Sequence, residues 1–144
     1  MRWVMASCWV AWATVANAEP RHDPREVFSG TYHLIQSGKI DVVESHLKSC
    51  AGRGRAYLDK QTSFDVVVSA SDQQVNGEAW KADSVVTGTL FMHRLEPVGD
   101  GRAVLSLQWV KGALHAVINY VELDSRGRYV CDDHGNFMYR DATP

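Results

Sequence analysis

The run Asp132-Asp133-His134-Gly135-Asn136 is the densest gathering of chemically able side chains in this sequence. Two carboxylates beside an imidazole can hold a calcium ion or serve as an acid–base pair. The same residues are also strong turn formers, and directly after Cys131 they read as a hairpin loop. We adopt that plainer reading: a rigid loop, anchored at Cys131, that offers Asp132, Asp133 and His134 to a partner. Trp80, set between Glu78 and Lys81 after the Asn76-Gly77 turn, reads either as a core or half-buried tryptophan or as an anchor for such a contact. Asp100, inside the Gly99-Asp100-Gly101 turn, joins the same set.

The remaining chemistry is dispersed. Six histidines stand at 22, 33, 46, 93, 115 and 134, with no ligand-like spacing, so no metal is assigned. The chain has no G-x-S-x-G, H-E-x-x-H, phosphate-binding G-x-x-x-x-G-K, C-x-x-C or EF-hand loop. No catalytic set and no cofactor is therefore expected. If a sheet encloses a pocket, Tyr32, His33, His93, His115 and Tyr120 are the polar residues that can line it.

Residues 1–18 have the layout of a signal peptide: basic Arg2, an apolar stretch from Trp3 to Val15, and Ala16-Asn17-Ala18 as a cleavage site. The apolar stretch is too short for a membrane span. Residues 19–144 are then one domain, periplasmic or secreted. Losing Arg2 moves the formal charge from −2 to −3, which argues against nucleic acid as a partner. Cys50 and Cys131 remain as an even pair in an oxidising compartment, and one disulfide is the natural reading. It closes a loop of about 80 residues, on the order of 4 kcal/mol in the chain-entropy model.

These residues need elements to hold them. Asp23-Pro24 suits a helix start, and Val27, Phe28, Thr31, Leu34 and Ile35 recur at helical spacing up to Ser37-Gly38. A second helix is expected over about Ile40 to Ser49, and Ala51 to Arg55 is expected to be a loop. Phe64 to Ser71 alternates as a strand, Asn76-Gly77 is a hairpin turn, and Ser84 to Val98 reads as one long strand bent at Gly88. Arg102 to Val110 alternates most cleanly, with Ala103, Leu105, Leu107 and Trp109 on one face. Lys111-Gly112 turns the chain into Ala113 to Asp124, and Arg128 to Cys131 pairs back. Phe137 to Tyr139 closes as a short edge strand. The expected fold class is α+β: an N-terminal helix pair on a curved antiparallel meander of about five strands, with the disulfide stapling the two layers.

Helix, Ser-Gly, short acidic helix and then a curved sheet resembles the cystatin-like and nuclear-transport-factor-2-like folds, through Val27 to Leu47 and the strands that follow. That resemblance implies a cone under the sheet and admits both binders and enzymes. The reading carried forward is a small exported, non-catalytic protein acting as an inhibitor or immunity-type protein, through loops 72–78, 99–101 and 132–136. An exported hydrolase or toxin is the partner class in view, and a homo-oligomer is compatible with it. Two alternatives stand beside it: a small-ligand or enzymatic cone, and a structural subunit of an envelope assembly that would use an unpaired sheet edge.

Overall fold

The structure is a computed structural model that describes residues 23–45, 53–99 and 101–139. The expected leader 1–18, His22, His46, Cys50 and Asp100 lie outside these described residues. A 3-10 turn, Pro24–Phe28, opens the described chain. The strands are β1 (Gly30–Gln36), β2 (Asp41–Ser45), β3 (Ser63–Val68), β4 (Gln73–Val75), β5 (Glu78–Val86), β6 (Thr89–Arg94), β7 (Gly101–Val110), β8 (Ala113–Leu123) and β9 (Tyr129–Tyr139). One helix, α1 (Arg53–Asp59), precedes β3.

Eight strands form a closed antiparallel barrel in the order β1-β3-β4-β5-β6-β7-β8-β9. Leu34↔Tyr139, Ile35↔Met138 and Gln36↔Phe137 make the closing seam between β1 and β9. The ninth strand, β2, pairs beside β9 further along it. Closure satisfies backbone groups on both sides of each barrel strand, which an open sheet cannot do.

Two-residue alternation builds the barrel. On β8 the even positions Leu114, Ala116, Ile118 and Tyr120 are buried; on β7 the odd positions Ala103, Leu105 and Leu107 are buried. With eight strands the interior is just wide enough for side chains to fill. Leu34, Phe64, Val66, Leu90, Met92 and Phe137 complete that filling, each at most 1% exposed. The outward positions include His33, Asp65, Lys81, Asp83, Arg102 and Gln108, all exposed. The lumen is apolar, and the outer wall mixes these polar residues with exposed Ile35, Val86, Val110 and Leu123. Among the described residues no helix is long and apolar enough to cross a membrane.

Three two-residue hairpin turns set the register of the meander: Asn76-Gly77 (φ 52° and 76°), Thr87-Gly88 (φ 50° and 73°) and Lys111-Gly112 (φ 49° and 81°). Positive φ at both central positions matches the twist of the flanking strands. A side chain on Gly88 would touch nothing, so backbone angle rather than space demands glycine there.

This architecture corrects the α+β expectation. The first expected helix is a short 3-10 turn followed by β1, in which Tyr32 and Leu34 point inward while Thr31, His33 and Ile35 are exposed. The spacing that suggested a helix fits a strand equally well over so short a run, and β-branched Thr31 and Ile35 favour the strand. Asp23 does cap: its carboxylate accepts from the Arg25 backbone N–H at 3.0 Å. β2 occupies the first half of the second expected helix, and residues 46–52 lie outside the described set. The loop expected at 51–55 instead runs into α1. The long strand Ser84–Val98 is two strands joined by a tight turn at Thr87-Gly88. Residues 132–136 are the centre of β9, and Phe137–Tyr139 is its continuation into the seam, not a separate edge strand.

The disulfide expectation changes as well. No disulfide joins two described residues, and the helical layer it was to staple is replaced by β1 and β2. Cys131 is disulfide-bonded, with its partner outside the described residues. The resemblance to cystatin-like and nuclear-transport-factor-2-like folds falls with the helix pair, because a closed barrel has no concave sheet face for a helix to cover.

Candidate functional site

The two ends of the barrel are closed differently. At one end Phe28, 1% exposed, seals the lumen from the 3-10 turn. The Tyr32 hydroxyl donates to the Phe28 carbonyl at 2.8 Å, and Trp109 Nε1 donates to the Val27 carbonyl at 2.9 Å. Tyr32 packs edge-on against both Trp109 and Tyr139, with ring centroids 6.0 and 5.3 Å away. Burial raises the Tyr32 hydroxyl pKa, and the neighbouring Tyr139 adds to the rise.

α1 lies across the opposite end, on β8 and β9. Leu58 plugs it completely, and Gly54 comes so close to Tyr120 and Asp133 that a side chain there would overlap both. Asp133 is 3% exposed. Burial raises its pKa, opposed by the Arg55 backbone N–H that it accepts and by the Arg55 charge. Glu122, 7% exposed, faces the same end, its Oε2 4.0 Å from Cys131 Sγ. The Tyr120 hydroxyl donates to the Val98 carbonyl at 3.0 Å.

β5 and β6 carry the cross-strand pair Trp80↔Arg94. Trp80 is 4% exposed, and its indole Nε1 has no hydrogen-bond partner among the described residues. Arg94 uses Nη2 in an ion pair with Glu78 Oε2 at 2.9 Å, while its buried Nε has no partner among the described residues. Two buried N–H donors left unmatched on opposed residues are costly, on the order of 1–3 kcal/mol each. Tyr57 of α1 reaches the same region, its ring 6.3 Å from that of Tyr120. Burial raises its pKa first; Arg94 lowers it and Glu78 raises it. A surface cleft of about 260 Å³, lined by Glu78, Ala79, Arg94, Leu95 and Glu96, opens onto Arg94. The constellation can donate two hydrogen bonds inward and accept others at its carboxylate rim.

The residues singled out in the sequence scatter over this frame. Strand alternation splits the 132–134 run. Asp133 points into the barrel, while Asp132 and His134 face outward and are half-buried. His134 Nε2 lies 3.5 Å from Asp41, and Asp132 keeps one carboxylate oxygen buried without a partner among the described residues. Burial raises the Asp132 pKa, with His134 lowering it and Asp133 raising it. His33 pairs with Asp65 at 2.6 Å and His93 with Asp83 at 2.7 Å, both on the outer wall, and His115 is also outside. Of the five pocket residues only Tyr32 and Tyr120 face inward, and they sit at opposite ends.

Trp80 is interior rather than a surface anchor. Among the described residues no group of three metal-ligating side chains converges. Of the three expected contact loops, 132–136 is strand, and 72–78 is largely β4 (Gln73–Val75) with only the tight turn Asn76-Gly77 before β5. Of 99–101, the described Gly99 lies just before β7 and Gly101 begins it. Glu78, Arg94 and Tyr57 were not singled out from the sequence. The available signal was phase: Arg94 continues the inward series Leu90, Met92, and Glu122 continues Leu114 through Tyr120.

Compared with protein-family models, curated proteins and solved structures, the chain has no match.

Proposed function

We propose that this protein is a non-catalytic binding barrel that holds a small molecule at its α1 end. One observation carries the reading: on the paired residues Trp80 and Arg94, the indole Nε1 and the guanidinium Nε are buried donors without an acceptor among the described residues, and Arg94 also lines a surface cleft. Buried donors in folded proteins are matched, and a ligand acceptor is one way of matching them. The middle of the lumen is filled with side chains, which directs a ligand to the mouth instead of the centre. Barrels of eight strands are wide enough for one small ligand when part of the interior is left polar.

The test is nuclear magnetic resonance on the ¹⁵N-labelled full chain, screened with a library of polar fragments. The Trp80 and Trp109 indole signals are assigned by their loss in Trp80→Phe and Trp109→Phe. Fragments that move the Trp80 indole and leave Trp109 in place support the reading. A library that never moves Trp80, or one that acts at Trp109, rejects it.

A further inference from the structure

We infer that the ligand's head group is uncharged and amide-like: a carbonyl acceptor next to an N–H donor. This rests on the binding reading above and adds the charge balance of the same end. Trp Nε1–H donates only, and arginine has no acceptor, so Trp80 and Arg94 together ask for an oxygen. A carboxylate or phosphate would supply one, but the surroundings oppose added negative charge. Arg94 is already neutralised by Glu78 at 2.9 Å. Glu78 and Glu96 both line the cleft, and buried Glu122 and Asp133 lie at the same end of the barrel. Glu78 and Glu96 are open to water, which weakens each repulsion, yet an anion entering here still meets more carboxylates than cations, and the one cation is committed. A cation is drawn to the glutamates, yet it leaves both buried donors unmatched and lies against the Arg94 guanidinium.

A neutral amide meets both demands. Its oxygen accepts from Trp80 and Arg94, and its N–H donates outward to the half-exposed Glu78 carboxylate. A buried polar group rejects the analogue that cannot match it more strongly than it favours the one that can. The cleft of about 260 Å³ sets the scale at one ring with a head group.

Benzamide, benzoate and benzamidine carry the same ring with neutral, anionic and cationic heads. Each is titrated into the full chain with the Trp80 indole ¹H–¹⁵N signal as readout. The expected result is a saturable downfield shift with benzamide, at least about tenfold tighter than with either ion, a factor corresponding to ~1.4 kcal/mol. Arg94→Gln is expected to weaken benzamide by about the same factor while the Trp109 signal stays in place. Tighter binding of benzoate or benzamidine overturns the neutral assignment and leaves the site standing. So does silence from all three when another fragment moves Trp80. If no compound of any charge moves Trp80, the donors are matched by water alone and the binding reading falls with the assignment.

Discussion

The barrel's two ends use the same residue types to different effect. At the Phe28 end, a tyrosine and a tryptophan each hand their polar hydrogen to a backbone carbonyl, of Phe28 and of Val27. At the α1 end, Tyr120 does the same toward Val98, but the Trp80 indole and the Arg94 Nε find no acceptor among the described residues. The first end is a finished core with a capped lid. The second keeps unspent hydrogen-bonding capacity beneath a seven-residue helix. Satisfied polar groups stabilise a fold, whereas a buried donor without an acceptor calls for one, from water, an ion or a ligand.

Five substitutions probe this contrast. Phe28→Ala removes the plug of the finished end, and a loss of about 3–5 kcal/mol in urea unfolding is expected. A loss under about 1 kcal/mol would show that the plug is dispensable and the ends are not so different. Next in size is Gly54→Ala. Its methyl overlaps Tyr120 and Asp133, so a net cost of about 1–3 kcal/mol is expected despite alanine's better helix propensity. Amide exchange in α1 should quicken while the Phe28 end keeps its protection; uniform change at both ends would contradict independent closure.

The paired tryptophans give the sharpest comparison. Trp109→Phe deletes a made hydrogen bond and should cost about 1 kcal/mol, whereas Trp80→Phe deletes an unmade one and should stay within about 1 kcal/mol of neutral. Finding Trp80→Phe the more damaging of the two would mean that its indole is matched after all. The smallest effect concerns Asp133. Its pKa is raised by burial, so the folded state holds its proton more tightly than the unfolded chain does. Its contribution is therefore favourable at low pH and is lost as pH rises from the ordinary carboxylate value through the raised one. Asp133→Asn should be more stable than the parent at neutral pH, with the gap narrowing on acidification through that window. A pH-independent gap would assign the effect to packing.

Much of the meander was legible because its signals are local. Ala103 to Leu107 and Leu114 to Tyr120 alternate at period two, and Asn76-Gly77 and Lys111-Gly112 carry the glycine a tight hairpin needs. Thr87-Gly88 escaped because threonine is a poor resident at positive φ, and apolar residues on both sides made the segment look continuous. Thr31 to Ile35 is too short for its period to exclude a helix. Asp132 to Asn136 has turn-like composition, yet β8 on one side and β2 on the other hold it as strand, a tertiary effect that composition does not record. The closing seam could not be read at all, since Leu34 and Tyr139 show no local sign of meeting. The site was half-visible: Trp80, Asp133 and Tyr120 were marked, but sorting them by end required the register.

The Leu34–Tyr139 seam, three residue pairs long, bears on how the chain reaches this state. During synthesis every strand up to β8 emerges before the one that joins β1, so the nascent molecule is for a time an open ribbon with raw margins on both sides. Such margins are templates for other chains, and distant joins form slowly. The stage most prone to self-association is then the last one before β9 docks, when one strand's arrival converts a sticky intermediate into a ring with no barrel edge to offer.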